Sequence, residues 1–305
     1  MTRKKSGALI YDDNKRNHVI WPGREPELKK FLDSTYKGMS HKQKNAKSSN
    51  SEDALTWSCF DVLGQVRGAL REKALRELWE DSFGSDPKVP APKAFKNADK
   101  VEIRVGKTYS NDAGDTEVDA SLEGKGLVVF FEAKLYSTVS LKRTDRDDDQ
   151  IAHKIRIGLQ EAAKTARDFY FVFLDLAPRE QLTQGRPKTD AENPKLTGYQ
   201  NKWKSAYWFS RYKHGSRGRM TPLREILSKK NDKNESVLAL PLTKENVQQV
   251  ADRMGWLTWA DLFKIVLRAV VYAHLTRGQG VAGSNPVIPS NKSQSTLSVG
   301  PFLFG

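Results

Sequence analysis

Asp119, Glu132 and Lys134 are the residues in this chain whose types and spacing point to chemistry. Glu132 and Lys134 interrupt the apolar run Leu127-Val128-Val129-Phe130-Phe131-Glu132-Ala133-Lys134-Leu135. In a strand, residues two apart share a face, so Phe130, Glu132 and Lys134 point one way and Phe131, Ala133 and Leu135 the other. A carboxylate and an ammonium buried in such a run are costly unless each is paired or bound to a metal. Asp119 ends a short alternating segment, and the turn at Gly124 to Gly126 joins it to the apolar run, which predicts a hairpin. Two carboxylates on neighbouring strands, with the backbone carbonyl of Ala133 as a third oxygen, form the ligand set of a hard divalent cation such as Mg²⁺. Lys134 adds a point charge beside an attacking water or a phosphate. The competing reading is an edge-strand ion pair between Glu132 and Lys134 with no chemistry attached.

These residues need elements to hold them. Residues 101–105 alternate as a strand, a turn follows at 110–114, and strands are expected at about 116–122 and 127–135, a three-stranded meander. Ahead of it, residues 50–82 read as one helix, with Leu55, Cys59, Val62, Leu63, Val66, Leu70, Leu75 and Leu78 in the 3.6 period. Ser49-Asn50-Ser51-Glu52 has the form of a capping box, which makes Glu52 a cap partner. Glu52 also shares the core-facing stripe with Leu55, Cys59 and Leu63. After the meander, residues 148–167 resume helical period through Ile151, Ile155, Leu159, Ala162 and Ala166, with Asp147 to Asp149 as an N-cap cluster and Gln150 at the helix start. His153 on that helix reads as a surface histidine. Residues 169–176 are apolar on both faces, as in a central strand reached by a crossover. Two helices follow near 244–253 and 259–275, the second so apolar around its circumference that this chain or a partner chain must cover several sides.

Asp119, twelve intervening residues, and then Glu132-Ala133-Lys134 resemble the PD-(D/E)xK nuclease superfamily, the restriction-endonuclease-like proteins. Val118 stands where a proline often precedes that aspartate. The resemblance covers about residues 50–176, and helix, three strands, helix, strand is the order of that family's αβββαβ core. It implies an α/β fold, a restriction-endonuclease-like core with a central mixed sheet flanked by helices, and here basic N-terminal and C-terminal additions. The corresponding division is a basic extension over 1–49, a nuclease-like domain with helical closure over 50–277, and a flexible tail over 278–305. The resemblance further implies a Mg²⁺-dependent deoxyribonuclease, with Mn²⁺ able to substitute, acting in restriction or phage defence in a prokaryotic or phage setting. Its catalytic residues would be Glu52, Asp119, Glu132, Lys134 and Gln150, and its metal ligands Asp119, Glu132, the carbonyl of Ala133, and Glu52. Glu52 matches the glutamate that the family carries on its first core helix at the rim of the metal site, with Asp53 as the alternative one position on. Removing either strand carboxylate is then expected to abolish cleavage and leave folding nearly unchanged.

Composition agrees with a nucleic-acid partner. Lys and Arg number 51 against 37 Asp and Glu, a net charge of +14. Residues 1–49 hold a net +7 and residues 201–230 a net +8, so two segments generate the field. Clustered basic surface is the footprint of a phosphate-backbone binder, with a solvated surface or an anionic-lipid patch as the plainer readings. Residues 37–50 show no apolar period and read as a mobile basic loop. In residues 201–219 aromatics alternate with bases, which suits base stacking and phosphate contact through Lys202, Lys204, Arg211, Lys213, Arg217, Arg219, Trp203 and Tyr207. The single Cys59 excludes a disulfide framework and a cysteine zinc site, and no apolar run is long enough to span a membrane, so a cytoplasmic protein is expected. A homodimer or a partner protein in a defence complex fits the apolar last helix. The reading from a different class is a nucleic-acid-binding or assembly protein on the same fold without catalysis, which has no need to keep Glu52, Asp119, Glu132 and Lys134 together.

Overall fold

The apolar run bearing Glu132 is the middle strand of a five-stranded mixed sheet. The structure, a computed structural model, describes residues 1–3, 7–35, 39–84, 89–111, 114–135, 149–176, 227–228 and 243–279. Two short strands, β1 (Thr2–Arg3) and β2 (Leu9–Ile10), pair with each other, and the helices α1 (Glu25–Asp33), α2 (His41–Asn45), α3 (Glu52–Gln65) and α4 (Gly68–Phe83) follow. The sheet strands β3 (Glu102–Asn111), β4 (Gly114–Gly124) and β5 (Leu127–Ala133) form an antiparallel meander. Then come α5 (Gln150–Lys164), β6 (Asp168–Asp175), α6 (Lys244–Asp252), β7 (Met254–Thr258) and α7 (Trp259–Gln279). β6 lies parallel to β5, and β7 parallel to β6, giving the strand order β3-β4-β5-β6-β7.

Helices cover both faces, which is why β5 and β6 are apolar on both sides. On one face Val128, Phe130, Phe171 and Phe173 pack against Ile151, Ile155 and Leu159 of α5 and Val250 of α6. On the other, Val129, Phe131, Val172 and Leu174 pack against Phe60 and Leu63 of α3, Leu75 and Trp79 of α4, and Leu262 and Ile265 of α7. A smaller cluster joins Leu28, Phe31 and Leu32 of α1 and Ala46 to Trp57 of α3.

Three elements differ from expectation. The helix over 50–82 is two helices, because Val66 and Arg67 are extended and Gly68 takes φ +59°, with its N–H donated to Asp99 at 2.9 Å. Residues 41–45 are helical rather than a loop, and Lys42 is buried. β7 was not foreseen, since five residues between two helices leave too short a stretch for a period to emerge. The residues of the basic aromatic segment (Lys202, Trp203, Lys204, Tyr207, Arg211, Lys213, Arg217 and Arg219) and the proposed tail beyond residue 279 lie outside the described residues.

Candidate active site

The site begins where β4 and β5 part. Their ladder runs from Gly124–Leu127 to Ala120–Phe131 and stops one residue short of Asp119 and Glu132. Asp119 instead accepts the backbone N–H of Ala133 through Oδ2 at 2.7 Å, so a side chain fills the place of the next backbone rung. On its other side β4 is also irregular. Val105 pairs with Ala120 and Lys107 with Val118, which sets Gly106 opposite Asp119. Gly106 has φ +64°, and a Cβ there would lie 2.8 Å from Lys42 Nζ and 2.9 Å from the Phe31 ring. The side-chain alternation slips at this point: Ala120 and Leu122 join the core under α3 and α4, whereas Val118 joins the core under α5.

The opening is a cleft of about 330 Å³, lined on its floor by Glu52, Asp119, Lys134, Gln150 and Lys154. Glu52 is the first residue of α3, and the cap is Ser51, whose hydroxyl accepts the N–H of Ala54 at 3.2 Å. With Ser51 as the cap the third helical residue is Ala54, so the expected capping box does not form, and the Glu52 carboxylate instead accepts the N–H of Leu135 at 2.7 Å and approaches Lys134 Nζ at 3.4 Å. Gln150 opens α5, whose N-cap Asp149 accepts the N–H groups of Ile151 and Ala152 at 2.9 Å each. His153 of that helix faces the carbonyl of Asp115 at 3.2 Å.

Glu132 is wholly buried, with Lys134 Nζ 2.5 Å from Oε1 and Lys154 Nζ in close ion contact with Oε2. Lys154 Nζ also lies 3.5 Å from Asp119 Oδ1, so it bridges the two strand carboxylates. Burial alone would raise the Glu132 pKa, but Lys134 and Lys154 outweigh it and hold the carboxyl at about 2. Asp119 behaves oppositely: burial first, and then the Glu132 charge, push its pKa to about 7 against the pull of the two lysines. Burial works against the charge on both lysines, yet the surrounding carboxylates, Glu132 first for Lys134 and Asp119 first for Lys154, raise their pKa values.

The backbone of Lys134 is fixed at both ends, its N–H donating to Leu174 O at 2.8 Å and its carbonyl accepting from Trp259 Nε1 at 3.0 Å. The Ala133 carbonyl already accepts Lys134 Nζ at 2.9 Å. Among the described residues no three or more His, Cys, Asp and Glu side chains group closely enough to form a metal cage on their own. Asp119 and Glu52 line the cleft and Glu132 is buried behind it, with the Lys134 and Lys154 ammoniums in ion contact with these carboxylates.

One wall comes from the N-terminal segment: His41, Asn45, Asn50 and Ser51 line the cleft beside Asp53 and Glu117. Lys42, 1% exposed, anchors this wall by pairing with Glu117 at 2.9 Å, donating to Ser34 Oγ at 2.9 Å and lying 4.6 Å from the Phe31 ring centre. Glu117 is two residues from Asp119 on β4.

Thus Glu52, Asp119, Glu132, Ala133, Lys134 and Gln150, read from the sequence as one site, meet at one cleft or directly behind it. Lys154, Lys42, Glu117 and Trp259 were not foreseen. For Lys154 a signal exists: it falls three residues after Ile151 and next to Ile155, within the buried stripe of α5, where a lysine requires a carboxylate partner. No protein-family model, curated protein or solved structure matches the chain.

Proposed function

We propose that this protein is a metal-dependent nuclease of the PD-(D/E)xK type that hydrolyses DNA phosphodiester bonds, in a restriction or phage-defence setting. The observation that carries the reading is convergence: Glu52, Asp119, Lys134 and Gln150, far apart in the sequence, line one cleft at the point where β4 and β5 separate, and Glu132 lies buried directly behind it in contact with Lys134. A binding protein has no need of that set. The element order, α3, then β3 to β5, then α5 and β6, supports a restriction-endonuclease-like core.

The donor set fits a hard divalent cation, because Asp119 and Glu132 are already bridged by one cation, the Lys154 ammonium. Asp119, Glu132 and the Ala133 carbonyl would hold Mg²⁺, or Mn²⁺ in its place, with Glu52 at the rim. When bound, such an ion polarises a phosphoryl oxygen and acidifies a water molecule. Lys134, its backbone held by Leu174 and Trp259 and its ammonium by Glu132 and the Ala133 carbonyl, offers a fixed positive charge to a phosphate in the cleft. Gln150, Asn45 and Asn50 supply neutral donors and acceptors along the path of the strand.

One observation favours the second reading, a nucleic-acid-binding protein on the same fold without catalysis: both oxygens of the wholly buried Glu132 are taken by lysines. Incubating the purified chain with supercoiled plasmid, linear duplex and single strands, in Mg²⁺, Mn²⁺ or EDTA, separates the two. Cleavage in the metal arms and none in EDTA is expected. Binding without cleavage in every arm would leave the second reading standing.

A further inference from the structure

We propose that Lys154 is the resident cation of this site: in the metal-free protein its ammonium bridges Asp119 and Glu132, and a divalent ion binds as that ammonium withdraws into the cleft. The inference rests on the metal-dependent reading above. Its basis is position. Lys154 Nζ is 3.5 Å from Asp119 Oδ1 and in contact with Glu132 Oε2, which is the space between the two carboxylates that a bridging ion needs. Its side chain is 4% exposed, and Lys134 already holds the other Glu132 oxygen at 2.5 Å.

Charge decides that both cations do not stay. Three carboxylates, Glu52, Asp119 and Glu132, face two ammoniums, and a dication added beside Lys154 would meet an unscreened like charge at contact distance in a buried setting. Removing the ammonium instead restores two anionic ligands. Withdrawal needs only side-chain rotation, because lysine is a compact charge on a flexible four-carbon stem and Lys154 borders the open cleft. The helix itself is held, with α5 capped by Asp149 and packed through Ile151 and Ile155. An ammonium released there lies where an incoming phosphate would sit, so phosphodiester binding and metal binding strengthen each other, as linkage requires in both directions.

The test measures Mn²⁺ affinity of the full chain by titration calorimetry for wild type, Lys154→Met and Lys154→Gln, with melting curves in EDTA to certify folding. It also maps lysine acylation by mass spectrometry in wild type with and without Mn²⁺. Expected are at least tenfold tighter Mn²⁺ binding in the variants and Lys154 acylation that rises when Mn²⁺ is bound. Folded variants that bind Mn²⁺ no more tightly than wild type, or a wild-type Lys154 that stays protected in saturating Mn²⁺, would overturn the proposal while leaving the metal reading intact. The labelling arm decides the matter if both variants unfold. Absence of Mn²⁺ binding in wild type and variants alike overturns the proposal together with the metal reading.

Discussion

Ala133 donates its backbone N–H to Asp119 Oδ2 at 2.7 Å, in the position where the ladder between β4 and β5 would have placed its next rung. The carboxylate thus ends the pairing of two strands and opens the cleft it faces. A residue with this structural duty and a proposed ligand role needs variants that separate the two. Asparagine keeps an oxygen for the Ala133 N–H while removing the charge.

The Asp119 carboxyl sits at about 7, raised from its ordinary 3.8 by burial and by Glu132, and the direction sets two pH dependences. A folded-state pKa above the unfolded one means that the metal-free native state keeps a proton the unfolded chain has already released. The stability from this group is therefore full below about pH 4 and declines as pH rises through 7. Because a divalent ion competes with the same proton, Mn²⁺ affinity is expected to climb about tenfold per pH unit below 7 and then level off. Asp119→Asn should flatten both trends, as read from melting curves in EDTA and calorimetric titrations across pH. A wild-type Mn²⁺ affinity indifferent to pH over this range would show that Asp119 is no ligand.

Glu132→Gln is expected from the sequence to spare folding, since it relieves repulsion between carboxylates. The geometry reverses that. With Lys134 and Lys154 both pressed on a wholly buried carboxylate, the amide leaves two buried ammoniums short of a counter-charge. Breaking a buried pair by removing one partner costs about 3–5 kcal/mol. Glu132 is held at about 2, so its stabilisation is present above the ordinary carboxylate value and disappears as pH falls toward 2. A chemical denaturation midpoint for the variant equal to wild type at neutral pH would contradict the buried arrangement.

How much of this was legible depends on how far each residue's partner lay from it in sequence. The period-2 pattern of β5 exposes Glu132 and Lys134 as charges in a core strand, and the short loop at Gly124 to Gly126 ties Asp119 to them. Glu52 was legible because the start of α3 combines cap and stripe signals, although the cap itself is Ser51 rather than Ser49. Lys154 was only half legible: its place in the stripe of Ile151, Ile155 and Leu159 signals a need for a carboxylate partner, but the stripe defines the helix without disclosing which carboxylate Lys154 touches. Lys42 was hidden further, since its partner Glu117 is 75 residues away and the pairing needs the backbone of Gly106 to make room.

Lys42 and Glu117 give a test of whether the N-terminal segment is integral to the cleft. Glu117→Gln leaves Lys42 buried against Phe31 with its hydrogen bond to Ser34 but without its counter-ion, an expected destabilisation of about 3–5 kcal/mol. Adding Lys42→Met should recover most of that stability, because an apolar stem can pack on Phe31 without a charge to neutralise. A double variant destabilised by the sum of the two single effects would show that the pair is not coupled and that α2 is held by something else.

The basic aromatic segment, residues 201–219, is open to test through its charges. Neutralising Lys202, Lys204 and Lys213 should weaken DNA binding to all sequences alike and lower the slope of log K against log salt by about 0.9 for each phosphate that the protein no longer neutralises. Trp203→Ala or Tyr207→Ala should instead weaken single-strand binding by roughly 1–3 kcal/mol per stacked base with the salt slope unchanged. An unaltered slope in the triple variant moves the electrostatic role to the basic residues of segment 1–49.

Lys134 offers the sharpest division between catalysis and structure, because its ammonium is placed for both. That ammonium meets Glu132 at 2.5 Å, Glu52 at 3.4 Å and the Ala133 carbonyl at 2.9 Å, while its backbone is held by Leu174 and Trp259 whatever the side chain is. Lys134→Met keeps the stem and the strand end and deletes the charge. If the ammonium stabilises developing charge on a phosphate, cleavage should fall by about 100-fold or more, with DNA binding little altered. If it serves only as an internal counter-ion, the effect should appear in the denaturation midpoint, and the cleavage rate of the folded fraction should be unchanged. Measuring single-turnover cleavage and denaturation on the same preparation separates the two, and wild-type rates in a destabilised variant would remove Lys134 from the chemistry.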